Sequence, residues 1–558
     1  MKKCLSLVAV ALVTGAVAAA ARPVKVIGPG LNSGRTVYHQ NFNRVLSADT
    51  LYVLTGQYLV DSLRSLTIQP GTVVHGDTAA ALVIARGGQI FANGEPCNPI
   101  VFTSMKPAGQ RNRGDWGGII LLGAAPVNKV SPLIEGGIIK GTYGGSNAQD
   151  NSGVFKYVRI EYCGYRYQLN NEINGLTMGG VGAGTEIHHV QVSYSFDDSY
   201  EWFGGTVNPH HLVAFGGTDD EFDTDFGFSG QAQFCFGLRD LNYWDPTGES
   251  NGFESDNDAS STSTATPYTT AVFSNVTMVG PERTDALVGT VPIGNSFQYS
   301  SVQRRSTKFS YFNSVLTGYP WGLSVRDATT QNWANTGELQ VRNVSITASL
   351  RPGTSTSVHD EVRWAGVTTW FNTAGWNNIG SAQRNPSAVG LTDMSNLNAP
   401  NPVPAPGSEL IGSADFSSPK LAGLQVVTYR GAFDPNVPMS QQWTACWTNF
   451  DPQSFWNPAT DAGDGDAVAA PPAALLQQNR PNPFNPMTTI RFAVPTRGHV
   501  TLKVYDARGE EVAALVDQEM PAGAYERSFA AGGLSSGTYF YRLTGPGFDL
   551  TRKMLLVK

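Results

Sequence analysis

Residues 188–201 read HHVQVSYSFDDSYE and residues 210–223 read HHLVAFGGTDDEFD. The two segments superpose at an offset of 22 residues: His188-His189 on His210-His211, Asp197-Asp198 on Asp219-Asp220, Tyr200 on Phe222 and Glu201 on Asp223, with Gly205 on Gly227 just beyond. Phe234-Cys235-Phe236 carries the apolar strand into a third unit. Each unit holds strands too short to bury a face alone, so the units have to stack around one continuous core.

The same texture extends outward, from about residue 50 to about residue 350. Short apolar runs end at glycines in Leu66–Gly76 (LTIQPGTVVHG), Leu82–Gly94 (LVIARGGQIFANG) and Ile100–Ser104 (IVFTS), and no helix-length 3.6-residue period is evident. A coiled parallel β-solenoid with repeats of about 20 residues follows. Asn275, Ser314 and Asn343 each precede a valine in a later strand, which predicts a stacked polar ladder. Residues 390–410 form a Pro-rich excursion, and the segment with Trp443 and Trp447 is expected to close the end of the stack.

Composition agrees. The chain has 558 residues with 61 Gly and 33 Pro, only 15% charged residues and a net charge of −7. That is too long for one compact core, too poor in charge for a coiled coil or an acidic tail, and too acidic to favour nucleic acid or an anionic membrane. Lys2 and Lys3 precede an apolar run from Leu5 to Ala20 that ends in small residues, the order of a signal peptide spanning residues 1–21. No later apolar run is long enough to cross a bilayer, so no transmembrane segment is expected in the mature chain. Of the exported cysteines, Cys97, Cys163, Cys235 and Cys446, an oxidising compartment permits two disulfides in three connectivities, or free buried thiols.

The domain reading is a body over residues 22–456, a linker at 457–474 (NPATDAGDGDAVAAPPAA) and a C-terminal module at 475–558. Asp461, Asp464 and Asp466 in the linker read as solvated rather than as a calcium loop. In the module, alternating runs such as Thr501–Tyr505 and Tyr539–Leu543 predict a small Ig-like β-sandwich. The opening at Asn479–Pro486, the strand end Val504–Gly509, the turn Ser536–Tyr539 and the basic last strand resemble the type A sorting domain of the type IX secretion system. That resemblance implies a Gram-negative cell whose type IX machinery handles the protein and delivers it to the cell surface or the exterior.

The body resembles the right-handed parallel β-helices of the pectin-lyase-like superfamily, giving an all-β fold. Gly114–Gly123 (GDWGGIILLG), Tyr157–Gly164, Asn171–Thr185, Asp197–Asn208, Asp219–Phe234 and Ser250–Asp258 are similar to motifs of large exported bacterial proteins that pair such a body with this sorting domain. The resemblance implies fold and address but no reaction.

Chemistry concentrates in an acidic belt: Asp197, Asp198, Glu201, Asp219, Asp220, Asp223 and Asp225, with Glu221 among them and Glu254, Asp256 and Asp258 beyond. Alternation turns Phe222, Thr224 and Phe226 inward and Asp223 and Asp225 outward, and stacks Glu201 on Asp223. Coils rise about 4.8 Å, where like charges repel by about 1 kcal/mol per pair even in water. Such rows call for a cation, a proton or an open loop, and calcium is the economical ion for oxygen ligands outside the cell. The alternatives are solvated turns, or a catalytic pair in which Asp198, Asp220 and Arg305 serve a calcium-dependent polysaccharide lyase or glycoside hydrolase. The Gly-His-Gly and Arg-Ile-Lys segments of the polygalacturonase pattern are missing.

His189 and His211 are expected on one face, as soft-metal ligands, a base, or two stacked imidazoles in a structural turn. Arg304, Arg305 and Lys308 follow on a later coil, and Trp116, Trp202, Phe203, Trp244 and Trp321 are either sugar platforms or core. Gly179–Gly184 (GGVGAG) has no following helix, so no organic cofactor is implied. The reading is an exported cell-surface or secreted protein that binds a divalent cation and a glycan without turning it over, a structural surface-layer component being the remaining alternative.

Overall fold

A computed structural model describes residues 22–454 and 474–557, apart from 33, 35, 169–170, 247, 292–296, 349–363, 365, 381–384, 480–481, 486, 497, 521–522 and 532. The expected signal peptide and linker residues 457–473, with Asp461, Asp464 and Asp466, lie outside the described residues. Two compact units result, one spanning Val24–Phe455 and one C-terminal to it.

The first unit is a β-helix. Each coil lays short parallel strands on three faces. On the first, Val73 pairs with Val101, Ile100 with Val158, and then Val190, Leu212, Cys235 and Val276 follow in register. On the second, Leu82, Ile119, Leu176, Tyr200, Phe222 and Phe253 stack as one column. On the third, Leu66 pairs with Ile90, and Phe155 with Ile187. The inward columns are almost wholly apolar: Tyr200, Phe222 and Phe253 stack with centroids 5.4 and 5.7 Å apart and are completely buried. The few inward side chains of a single coil cannot exclude water by themselves, and stacking like on like gives each ring a partner above and below.

From Gly153–Glu161 onward the first and third faces share long strands that bend at one position. Tyr157, His189, His211, Phe234, Asn275, Asn313 and Asn343 occupy it in successive coils, all with φ between 49° and 58°. This left-handed step turns the chain through the corner without glycine, and asparagine tolerates it best among the residues used. It also corrects the expected ladder. Asn275 aligns with Asn313, not Ser314, whose hydroxyl accepts from the Val276 amide at 3.0 Å.

Nor do these amides bond chiefly to one another. Residues 401–454 return along the outside of the first face, and side-chain amides clamp this strap as a strand would. Asn313 donates to the Asp415 carbonyl at 3.1 Å and accepts from its amide at 2.8 Å. Gln233 makes the same reciprocal pair with Gln425, at 2.8 and 2.9 Å, and Gln191 with Asn449, at 2.9 and 2.7 Å. Trp443 and Trp447 belong to this strap, packing over Tyr157, His189 and His211, so the expectation that they close the end of the stack is corrected. Residues 367–376 cover that core instead, with Val367, Trp370, Phe371 and Trp376 joining the cluster of Val344 and Ile346.

Among the described residues one disulfide forms, Cys97–Cys446, tying an early turn to the strap, while Cys163 and Cys235 are free thiols buried in the core. Helix Ala328–Thr336 interrupts the region that shows no helical period. Its sequence is polar, and it is held by the Asp327 side chain accepting from the Thr330 amide and by left-handed Gly337 at its end.

The C-terminal unit consists of two antiparallel sheets around one core. Its motifs have physical causes. Buried Asn479 donates its amide to the Tyr541 hydroxyl at 2.8 Å and its side chain to Thr488 at 2.9 Å. Asp506 accepts from the Arg508 and Glu510 amides, with left-handed Gly509 completing the turn. The Tyr539 hydroxyl donates to the Ser535 carbonyl.

Candidate metal centre

The second face carries the belt. Glu201, Asp223 and Glu254 stack in register on its outer side, and Asp225 follows Phe203 two positions on. The acidic doublets form the turn that enters this face. By register Asn174, Asp198, Asp220 and Asn251 make one column. Asp198 accepts the Asp220 amide at 2.7 Å, Asp220 the Asn251 amide at 2.5 Å, and Asn251 the Tyr299 amide at 3.1 Å. Each carboxylate therefore commits one oxygen to the coil above.

The carboxylates of these turns and of the face converge. Asp197, Asp198 and Asp219, then Asp198, Glu201 and Asp223, then Asp220, Asp223 and Glu254 each place carboxylate oxygens within 4.8 Å of one another. Asp198, Glu201 and Asp220 are 6%, 8% and 4% exposed, and Asp219 Oδ1 and Asp223 Oδ1 are buried with no hydrogen-bond partner. Burial, reinforced by neighbouring carboxylates, pushes Asp197, Asp198, Glu201, Asp219, Asp220, Asp223 and Asp225 well above the usual carboxylate range.

Excursions seal the cluster and bring in groups the repeat does not announce. Glu135, from the excursion between Leu122 and Gly153, hydrogen-bonds Glu201 and Asn174 and is pushed up to about 7, chiefly by burial. Arg166 bridges Glu172 at 2.8 Å and Asp245 at 3.1 Å. Arg304 pairs with Glu254 and Asp256, and Arg305 with Asp256 at 2.8 Å. Among the described residues, no Lys, Arg or His is in ion-pair range of Asp197, Asp198, Glu201, Asp219, Asp220, Asp223 or Asp225.

The structure thus brings together six of the seven belt residues with Glu254 from beyond them, leaves Asp225 outside the converging groups with its carboxylate accepting from the Phe226 amide, and adds Glu135, Glu172, Asn174 and Asp245. The signal for Asn174 and Glu172 was their place two and four residues before Leu176, equivalent to Asp198 and Phe196 before Tyr200. Glu135 and Asp245 sit on excursions without periodicity and left no such signal.

Other expectations change. Phe226 does not point inward: with φ 47° it swings out against Phe203 and under Lys129. Glu221 leaves the belt, its carboxylate bound to buried Arg239 at 2.5 Å and to the Tyr319 hydroxyl at 2.6 Å. Trp116 and Trp202 are wholly buried and Phe203 nearly so, which removes them as sugar platforms; Trp244 and Trp321 are half-buried. Lys308 lies elsewhere, over Trp333 and paired with Glu338.

His189 and His211 do share a face, their rings stacked with centroids 4.5 Å apart.

A family model described as a pectate-lyase-like β-helix domain matches residues 37–387, and one for a secretion system C-terminal sorting domain matches residues 480–558. No curated relative matches the chain. The sorting domain assigns type IX handling and export to the cell surface or exterior. No helix among the described residues is long and apolar enough to cross a membrane. With its stacked parallel faces and a matched span covering most of its length, the chain belongs to the pectate-lyase-like β-helix family.

Proposed function

We propose that this exported β-helix protein holds divalent cations, calcium foremost, in the carboxylate cluster of its second face, and that it acts as a binding or structural surface protein without turnover there. The observation that carries the reading is the pair of buried, unpartnered oxygens, Asp219 Oδ1 and Asp223 Oδ1, inside three overlapping carboxylate triads. Two charges 4.8 Å apart repel by about 3 kcal/mol at an effective dielectric of 20, so unscreened anions would open the turns. A hard ion with oxygen ligands at 2.3–2.6 Å spans such triads, and Asp198 and Asp223, each common to two of them, are its central ligands.

Polysaccharide cleavage finds less support. Asp198 and Asp220 are nearly inaccessible to a polymer and serve the turn ladder, and the Arg305 guanidinium, the expected lyase base, is tied to Asp256. A glycan would have to be met elsewhere, with the cluster shaping the surface around it.

The test is calorimetric titration of chelator-treated full-length chain with calcium at pH 8, with thermal melting alongside and product assays on acidic and neutral polysaccharides. Stoichiometric binding, a raised Tm and no product support the proposal. No binding of calcium, magnesium or manganese would sink it, and chelator-sensitive product would replace it with an enzyme.

A further inference from the structure

A second cluster lies on a different face and has a different donor chemistry. Strands Glu186–Ser193 and His210–Phe215 pair His188 with His210. The left-handed step at His189 and His211 interrupts strand alternation, so both histidines of each doublet project from the same corner. Rings stack across the coils, His188 on His210 at 4.7 Å and His189 on His211 at 4.5 Å. Within each coil the Nδ1 atoms face one another, 2.7 Å apart in the first doublet and 2.6 Å in the second.

Tautomers follow. His188 Nε2 is 3.1 Å from Glu186 Oε1, and Lys156 holds the same carboxylate at 3.0 Å. A carboxylate only accepts, so His188 carries its proton on Nε2 and turns a lone pair on Nδ1 into the cluster. A ring nitrogen oriented by a carboxylate on its far side is the arrangement that metal-binding histidines use. His188, His189 and His210 offer nitrogens within 4.8 Å of one another.

The rest of the corner column does different work. In later coils the same position holds Asn275, Asn313 and Asn343, and the first two bond the strap backbone at Tyr429 and Asp415. Opposite the histidines the strap presents aromatic rings: Trp443 lies edge-on to His211 at 5.0 Å and Trp447 to His189 at 5.7 Å. Strap attachment therefore does not account for four imidazoles whose polar edges point at one another.

We propose that His188, His189 and His210, with His211 beside them, form a site for a borderline divalent transition ion: copper, nickel or zinc. An all-imidazole donor set selects these ions over calcium. For zinc, metal–nitrogen bonds of about 2.0 Å in tetrahedral geometry need nitrogens about 3.3 Å apart, so each facing pair opens slightly as the ion takes the place of the shared proton, which moves to Nε2 of the donating ring.

The experiment uses untagged, chelator-stripped full-length protein, titrated calorimetrically with copper(II) and zinc and followed by copper EPR. Tight one-to-one binding with nitrogen hyperfine structure is expected. His188→Gln with His210→Gln should weaken it at least tenfold. His189→Asn with His211→Asn should weaken it comparably while folding normally, because asparagine already occupies this corner in three other coils. Asp223→Asn should leave it unchanged, which separates this site from the carboxylate cluster. No stoichiometric binding by the wild type, or oxygen-only coordination indifferent to both histidine pairs, would overturn the assignment.

Discussion

Two columns on the same solenoid solve one problem in opposite ways. At the corner of the first face, Asn275 and Asn313 stack in successive coils, and each amide satisfies itself by donating to and accepting from neutral partners. On the second face, Asp198 and Asp220 stack in the same manner, yet an ionised aspartate only accepts, and each lies among other carboxylates. The amide column is complete within the chain. The carboxylate column is complete only with something positive added.

The comparison breaks hardest if a charge is moved into the amide column. Asn275→Asp keeps the acceptor for Gln233 but sets a carboxylate against the Tyr429 carbonyl in a fully buried site. A loss of about 3–5 kcal/mol is expected at pH 8, shrinking near pH 4 as the new group protonates. Denaturant unfolding at the two pH values measures both.

Next comes removal of the ion. Calcium at a hundred- to a thousand-fold over its Kd should add about 3–4 kcal/mol per site, visible as a Tm shift reversed by chelator. The pH dependence has a definite sign. Folding raises these carboxylate pKa values, Glu135 and Asp256 to about 7, so protonation stabilises the ion-free fold below pH 4 and that stability drains away as pH rises through 7. Chelated protein should therefore melt lower at pH 8 than at pH 5, and the calcium increment should be larger at pH 8. A flat profile would mean the cluster carries no charge to compensate.

The smallest effect sharpens the contrast. Asp220→Asn preserves an acceptor for the Asn251 amide, as Asn251 itself does for Tyr299, and removes one charge. Ion-free protein should gain about 1–2 kcal/mol as repulsion of Asp220 by Asp223 and Glu254 is relieved, less than the full Coulomb figure because the raised pKa values leave the cluster partly protonated, and the calcium response should weaken several-fold. Equal melting with and without the substitution would assign Asp220 to the turn ladder alone.

Much of this was readable in advance. The offset between His188 and His210 became an actual strand register, and Glu201 stacks on Asp223 as the alternation required. Errors gathered where one residue leaves the period. The left-handed φ of Phe226 reversed its side, and the ladder slipped from Ser314 to Asn313 because a corner, not a valine, sets the alignment. Helix Ala328–Thr336 leaves no apolar period in the sequence because caps at Asp327 and Gly337, not an apolar stripe, define it.

The sequence by itself determined the stacked coils, the parallel faces, the export signal at the C-terminus and the existence of an acidic row, because all of these are periodic or local properties of neighbouring residues. Only the tertiary structure decided that Glu135 comes beside Glu201, that Arg305 is tied to Asp256, that the tryptophans of the strap cover histidines instead of the end of the stack, and that Cys97 reaches Cys446. The reason is physical: a repeat dictates what stacks on itself, whereas the excursions and the strap are placed by packing and hydrogen bonds between residues hundreds of positions apart, which no local pattern encodes.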